Sequence, residues 1–254
     1  MTMNTTQTTT NPLGYEKIGK LLTSYAVPSI IALIINSLYN MVDQIFIGQG
    51  VGFLGNGATN IIAPIATITI AIATLFGDGL AAFFSLSLGK GEGEKAAKGL
   101  GTSIMFGSVS GIIWTVLAFV FLKPLCLIFG ATENILPYAL DYGRIIVIGF
   151  TFQIVGNTIN SAIRTDGSPR YAMLSMIIGA VLNIILDPIF IFVFHWGVEG
   201  AAIATIISQL FGLLFNIAYL FHMKTIKLSR QSFTLDIRTA GRIASLGFAS
   251  GANN

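Results

Sequence analysis

The sequence predicts an all-α integral membrane protein, and three observations carry that prediction. Of its 254 residues, 54% are hydrophobic and only 10% are Asp, Glu, Lys or Arg, against about 25% charged in a soluble domain. The mean hydropathy is +0.78. Segments 21–42, 44–77 and 99–122 hold no charged residue, and at about 1.5 Å per residue each is long enough to cross roughly 30 Å of hydrocarbon as a helix. Soluble enzymes, nucleic-acid binders and disulfide-built secreted modules fit poorly, the last because Cys126 has no second cysteine to pair with.

The net charge of +3 is less informative than its placement. Lys and Arg gather in four clusters: Lys17 and Lys20; Lys90, Lys95 and Lys98; Arg164 and Arg170; Lys224, Lys227, Arg230, Arg238 and Arg242. The segments between them carry Lys123 and Arg144 alone. Such alternation is the positive-inside pattern. It predicts six spans, 21–47, 58–88, 100–122, 136–162, 171–194 and 199–222. The clusters and the amino terminus are then cytoplasmic, with the turns at Gly48-Gln49-Gly50 and His195-Trp196-Gly197 outside. Residues 1–20 are expected to be a cytoplasmic tail and lead-in, Thr- and Asn-rich over 1–11, and 21–222 the six-helix lobe. Residues 223–242 are expected to be a cytoplasmic linker with an interfacial helix, because Phe233, Leu235 and Ile237 alternate with polar residues. Residues 243–254 read as the start of a seventh span, too short to cross a bilayer, so a continuation is expected.

Polar residues inside the spans fall into stripes. Ser29, Asn36, Asn40 and Asp43 share a face of the first helix; Gln153, Asn157, Asn160 and Arg164 a face of the fourth; Ser175, Gly179, Asn183 and Asp187 a face of the fifth; Thr205, Gln209, Gly212 and Asn216 a face of the sixth. Four such stripes predict a shared hydrated interior. Any single Asn or Ser has an ordinary reading as interhelical hydrogen-bonding glue. A carboxylate differs, since at roughly 2.5–3.5 kcal/mol on insertion scales it marks function by default; Asp43 and Asp187 are read that way. Asp78, between Gly77 and Gly79, fits a cavity residue or a helix-breaking device equally well. Asp141 and Arg144 are spaced for a local ion pair.

An enzyme finds little support, for there is no His-Glu-x-x-His, Gly-x-Ser-x-Gly or Walker motif. The nearest approach to the motif of intramembrane aspartyl proteases is Leu75-Phe76-Gly77-Asp78, which lacks its first glycine. A static channel fits no better, because these stripes are heterogeneous rather than repeated.

The motifs resemble those of the multidrug and toxic compound extrusion (MATE) transporters. Pro28 with Leu38-Tyr39-Asn40-Met41-Val42-Asp43 and Ile47-Gly48 is similar to that family's first-helix signature, and Ser87-Leu88-Gly89-Lys90-Gly91 to the end of its second helix. Asn183-Ile184-Ile185-Leu186-Asp187-Pro188 is similar to its fifth-helix signature, and Gly197-Val198-Glu199-Gly200-Ala201-Ala202 with Thr205 to the start of its sixth. The resemblance implies one lobe, amino-terminal, of a twelve-helix antiporter in the cell membrane. Such a protein is driven by Na+ or H+, expels small organic cations or drugs by alternating access, and needs no cofactor beyond the coupling ion. Carried over residue by residue, the cation or proton site falls on Asp43, Asn183, Asp187 and Thr205, the four implied Na+ ligands. The cavity-lining candidates are Asn36, Asn40, Asp78, Gln153, Asn157, Asn160 and Gln209. Two carboxylates, an amide and a hydroxyl offer the hard oxygens that a small cation prefers. The implied partners are the bilayer, the transported cations, and a second lobe or a second copy; nucleic acid is not among them. A lipid-linked or polysaccharide flippase of the same superfamily is the alternative, and it is expected to have a cationic interior.

Overall fold

The structure is a computed structural model that describes residues 17–251, and every regular element among them is helical. The expected tail over 1–11 and residues 252–254 lie outside that range. The six helices long and apolar enough to cross a membrane are α1 (Ile18–Gly50), α2 (Phe53–Gly89), α3 (Gly93–Val120), α5 (Leu136–Thr165), the continuous Pro169–Val193 segment that begins with α6 (Pro169–Pro188), and α7 (Gly197–Leu220). They coincide with the expected spans to within a few residues at most ends. The helices outrun the apolar windows where polar residues such as Glu94 and Lys95 continue the backbone hydrogen-bond ladder beyond the hydrocarbon.

Two features escape the hydropathy pattern. A short helix, α4 (Leu122–Ile128), follows α3 and turns its Leu122 and Cys126, four residues apart, into the core. Seven residues are too few to show a period. At the end of α6 the chain widens into a π-helical turn at Ile189–Val193. Pro188 has no N–H to offer, so the i→i−4 ladder is interrupted just where the turn widens.

The bundle is organised around α5, whose apolar window is 61% buried while no other span exceeds 33%. Its glycines make this position available. A Cβ on Gly143 would meet Ile62 of α2 at 2.8 Å and Leu122 of α4 at 3.0 Å, and one on Gly149 would meet Gln209 of α7 at 2.6 Å. Small residues let helix backbones approach closely where hydrophobic burial alone supplies no drive. Polar ties add direction: Trp114 Nε1 donates to Thr69 Oγ1 at 2.8 Å between α3 and α2, and Thr115 Oγ1 donates to the Val147 carbonyl at 3.1 Å between α3 and α5. The outer faces carry Ile30, Leu33, Leu38, Met41, Ile112, Val116 and Val181, all exposed and apolar, as a lipid-facing surface requires.

The glycines flanking Asp78 correct one expectation. α2 runs unbroken through Gly77 and Gly79, so they are not a helix-breaking device. Gly77 admits Ser161 of α5, whose Oγ lies 2.9 Å from where a Cβ would stand, and Gly79 admits the Ile243 backbone. Asp141 and Arg144 also fail to pair, whereas among the described residues Lys95 pairs with Glu92 at 2.9 Å and Lys98 with Asp236 at 2.7 Å.

Beyond α7 the structure draws the boundaries differently from the sequence reading. Residues 223–236 are not helical apart from one 3-10 turn at Arg230–Ser232, and a single helix, α8 (Ile237–Gly251), crosses the expected boundary at 242. Asp236 starts it by accepting the backbone N–H of Arg238 at 3.0 Å and of Thr239 at 3.3 Å, which supplies partners that the first turn of any helix lacks. Lys98 and these bonds hold the Asp236 carboxyl down at about 2. α8 lays Ile243 and Gly247 against α2. A Cβ on Gly247 would collide with the Leu75 carbonyl oxygen. Gly247→Val should therefore lift α8 from α2 at a cost of about 1–3 kcal/mol. Amide hydrogen exchange should rise across 237–251 while the six long helices keep their protection.

Candidate functional site

The site forms where α1, α6 and α7 converge. Asp43 on α1 is 8% exposed, Asn183 on α6 is 2%, and Asp187, one turn further along α6, is 0%. The i, i+4 spacing aligns the last two, and Asn183 Nδ2 donates to Asp187 Oδ1 at 3.2 Å. The same amide nitrogen reaches Thr205 Oγ1 on α7 at 3.4 Å. The Asp43 and Asp187 carboxyls lie close enough to interact. All four residues singled out from the sequence are thus brought together.

Three oxygens of this group, Asp43 Oδ1, Asp187 Oδ2 and Asn183 Oδ1, are buried without a hydrogen-bond partner. Buried oxygens are ordinarily paired, so a cluster of three points to something positive that they are built to accept. The donor set is carboxylate, amide and hydroxyl oxygen, which suits a proton or a hard monovalent cation. It does not suit a transition metal: among the described residues no three His, Cys, Asp or Glu side chains gather to hold one.

A cavity of about 210 Å³ adjoins the acid pair. Its wall takes Asn36 from α1; Gln153, Asn157 and Asn160 from α5; Ser175, Gly179 and Asn183 from α6; and Thr205, Gln209, Gly212 and Asn216 from α7. Each of the four polar stripes therefore contributes to one space. Two of the candidates stand elsewhere. Asn40 is exposed and folds its amide back onto the Asn36 carbonyl at 2.6 Å, a local bond that a helical Asn makes readily. Asp78 is half-buried on α2, outside the wall, near the Arg164 guanidinium that closes the α5 stripe.

Not every wall residue is available for a ligand. Asn160 Nδ2 donates to the Ala172 carbonyl at 3.0 Å and to Ser175 Oγ at 2.9 Å, and Asn216 Nδ2 donates to the Gly156 carbonyl at 3.1 Å. These two amides hold α5 to α6 and α5 to α7. Tyr39 and Tyr142 stand near the acids and were missed by the sequence reading. Tyr39 had a signal in its spacing of four residues before Asp43, whereas Tyr142, on another helix, had none.

The fold and site together define a multi-pass membrane protein with a polar cavity and a buried acid pair at its side. A family model described as MatE matches residues 28–189, and the chain belongs to that family. The multidrug export protein MepA of Staphylococcus aureus is 30% identical over 211 residues, which cover 81% of this chain and 46% of that protein. A crystal structure of MATE in complex with MaD3S superposes with a TM-score of 0.88 at 27% identity, covering 98% of this chain and 56% of that one. An outward-facing multidrug resistance MATE family transporter of the MOP superfamily gives a TM-score of 0.87 at 27% identity, over 98% of this chain and 55% of that one. The chain thus spans about half the length of the relatives it matches.

The division of labour along α5 is measurable. Asn160→Leu should cost about 1–3 kcal/mol of stability, because it strips partners from buried groups. Asn157→Ala should cost about half a kcal/mol or less. Thermal unfolding followed by thiol labelling of the buried Cys126 separates the two.

Proposed function

We propose that this lobe is the cation-coupling half of a multidrug efflux antiporter that works by alternating access, with Asp43, Asn183, Asp187 and Thr205 binding the coupling Na+ or H+. The observation that carries the reading is the three unpartnered oxygens that converge from α1 and α6. Two adjacent carboxylates in a low-dielectric site repel one another. A cation or a proton relieves that repulsion, so occupancy of the site decides how closely α1 can approach α6. Because Asn183 touches Asp187 and Thr205 and also lines the cavity, a change at the acids reaches the cavity wall through one side chain. Coupling of that kind makes ion binding and drug binding mutually dependent.

The energy available is adequate. One charge moving down 100 mV gains roughly 2.3 kcal/mol, about a fiftyfold bias in a two-state equilibrium. The transported ligand is expected to be an organic cation or drug shared with a second lobe or a second copy of the chain, since about 210 Å³ is below the roughly 300–1,000 Å³ of drug-sized pockets. The wall contains no Lys or Arg, which favours an organic cation over the anionic lipid that a flippase would carry. The membrane is the cell membrane, with the basic end of the bundle cytoplasmic.

Asp43→Asn and Asp187→Asn should each reduce cation-driven efflux at least about tenfold in a transporter that contains this lobe, without loss of insertion. The double variant should be little worse than either single one, because the two act as a unit. Near-normal efflux by Asp43→Asn would remove it from the coupling step. Orientation is tested separately. Cysteines at Gln49 and Trp196 should react with an impermeant thiol reagent added outside the cell and one at Glu92 should not, while the native Cys126, fully buried, stays silent.

A further inference from the structure

A third buried carboxylate lies far from the acid pair in sequence and in role. Asp166, in the turn between α5 and α6, is 1% exposed. It accepts the backbone N–H of Lys224 at 2.8 Å and of Thr225 at 2.9 Å, the Tyr219 hydroxyl at 2.8 Å, and the Thr225 hydroxyl. Tyr219 is itself positioned by Ser168, 2.7 Å away through their hydroxyls, and by the Tyr171 ring at 4.7 Å. Four donors satisfy a carboxylate without any cation, and hydrogen bonds to an ionised acceptor are among the stronger ones. Two of the four are main-chain groups of the segment that follows α7. The bonds therefore fix where the chain runs.

The same segment is fastened three more times downstream. Ile226 is buried in a cluster with Ala96, Ala97 and Leu100 of α3, and the Ser232 carbonyl oxygen occupies the space that a side chain on Gly101 would take. Lys98 of α3 then pairs with Asp236 at 2.7 Å, and Asp236 opens α8, which lies on α2. A tether of this length without such contacts would be free to wander. Here it follows one path across the end of the lobe.

We propose that Asp166 is a latch that makes the linker 224–236 a fixed part of this lobe, so that the lobe and the first turns of α8 move as one body. In the two-lobe antiporter proposed above, on which this last step rests, the pivot between the lobes lies in or beyond α8 and not in the linker.

The test uses the purified chain in detergent and requires no transport. Trypsin cuts after Lys224, Lys227 and Arg230, and it needs an undocked, extended segment to do so. Labelling of the buried Cys126 reports whether the lobe itself has opened. The docked linker of the unaltered chain should resist cleavage. Asp166→Ala should be cut at these three bonds at least roughly tenfold faster with Cys126 labelling unchanged, the effect of losing one or more charge-assisted hydrogen bonds. Tyr219→Phe, which removes one donor, should give a smaller increase. Gly101→Val should speed cleavage after Lys227 and Arg230 although Asp166 is intact.

Cleavage of Asp166→Ala at the unaltered rate would overturn the latch, as would an increase that merely tracks Cys126 labelling. If Asp166→Ala yields no folded protein, Tyr219→Phe and Gly101→Val carry the same two readouts with the same opposing outcomes. A failed latch would leave the coupling role of Asp43 and Asp187 untouched, since efflux by their Asn variants tests that independently.

Discussion

The rest of the bundle depends on keeping two carboxylates side by side in a medium that penalises each of them. Asp43 and Asp187 are almost wholly buried, and a carboxylate inside a membrane span is costly. The cost is tolerable only if polar groups from several helices surround it, so α1, α6 and α7 must meet at one place. Asn183 meets that need twice, through Asp187 on its own helix and Thr205 on the next. Pro188, directly after the acid, opens the backbone into a π turn. Such turns recur at functional sites because they release a helix from strict periodicity.

Around that point the architecture follows from what lipid withholds. Hydrocarbon outside the bundle leaves no hydrophobic drive between helices, so close backbone approach and polar ties must hold them. Gly143 and Gly149 let α5 become the axis, and Asn160 and Asn216 tie it to α6 and α7. The residues that line the cavity and those that glue its walls are of one chemical type. Their difference lies in whether the amide nitrogen already has a carbonyl to bond.

At the basic end a different economy prevails. There water competes for every polar group, and exposed pairs such as Lys95–Glu92 contribute little. Asp166 is the exception, being buried and fully satisfied, and it is what gives the segment after α7 a definite course. The α5–α6 turn, the exit of α7 and the first half of α3 are thereby joined into one surface.

The class, the six spans and the four polar faces are all legible in the sequence. Hydropathy over twenty residues and the period of a helix are local properties, and the bilayer imposes them on any chain of this composition. The sequence also set Asp43 and Asp187 apart, because ionisable residues are conspicuous against an apolar background, while Asn183 and Thr205 joined them through the resemblance to the MATE signatures. Packing of the helices settles which amides bond to neighbouring helices, that Asn40 turns back on its own helix and Asp78 stands outside the cavity wall, and that Tyr142 approaches the acids. It alone placed α8 on α2 and folded residues 223–236 against α3. Those outcomes rest on contacts between residues such as Asp166 and Thr225, or Gly247 and Leu75, that are distant in the chain, and no local period records which helix face a neighbour will occupy.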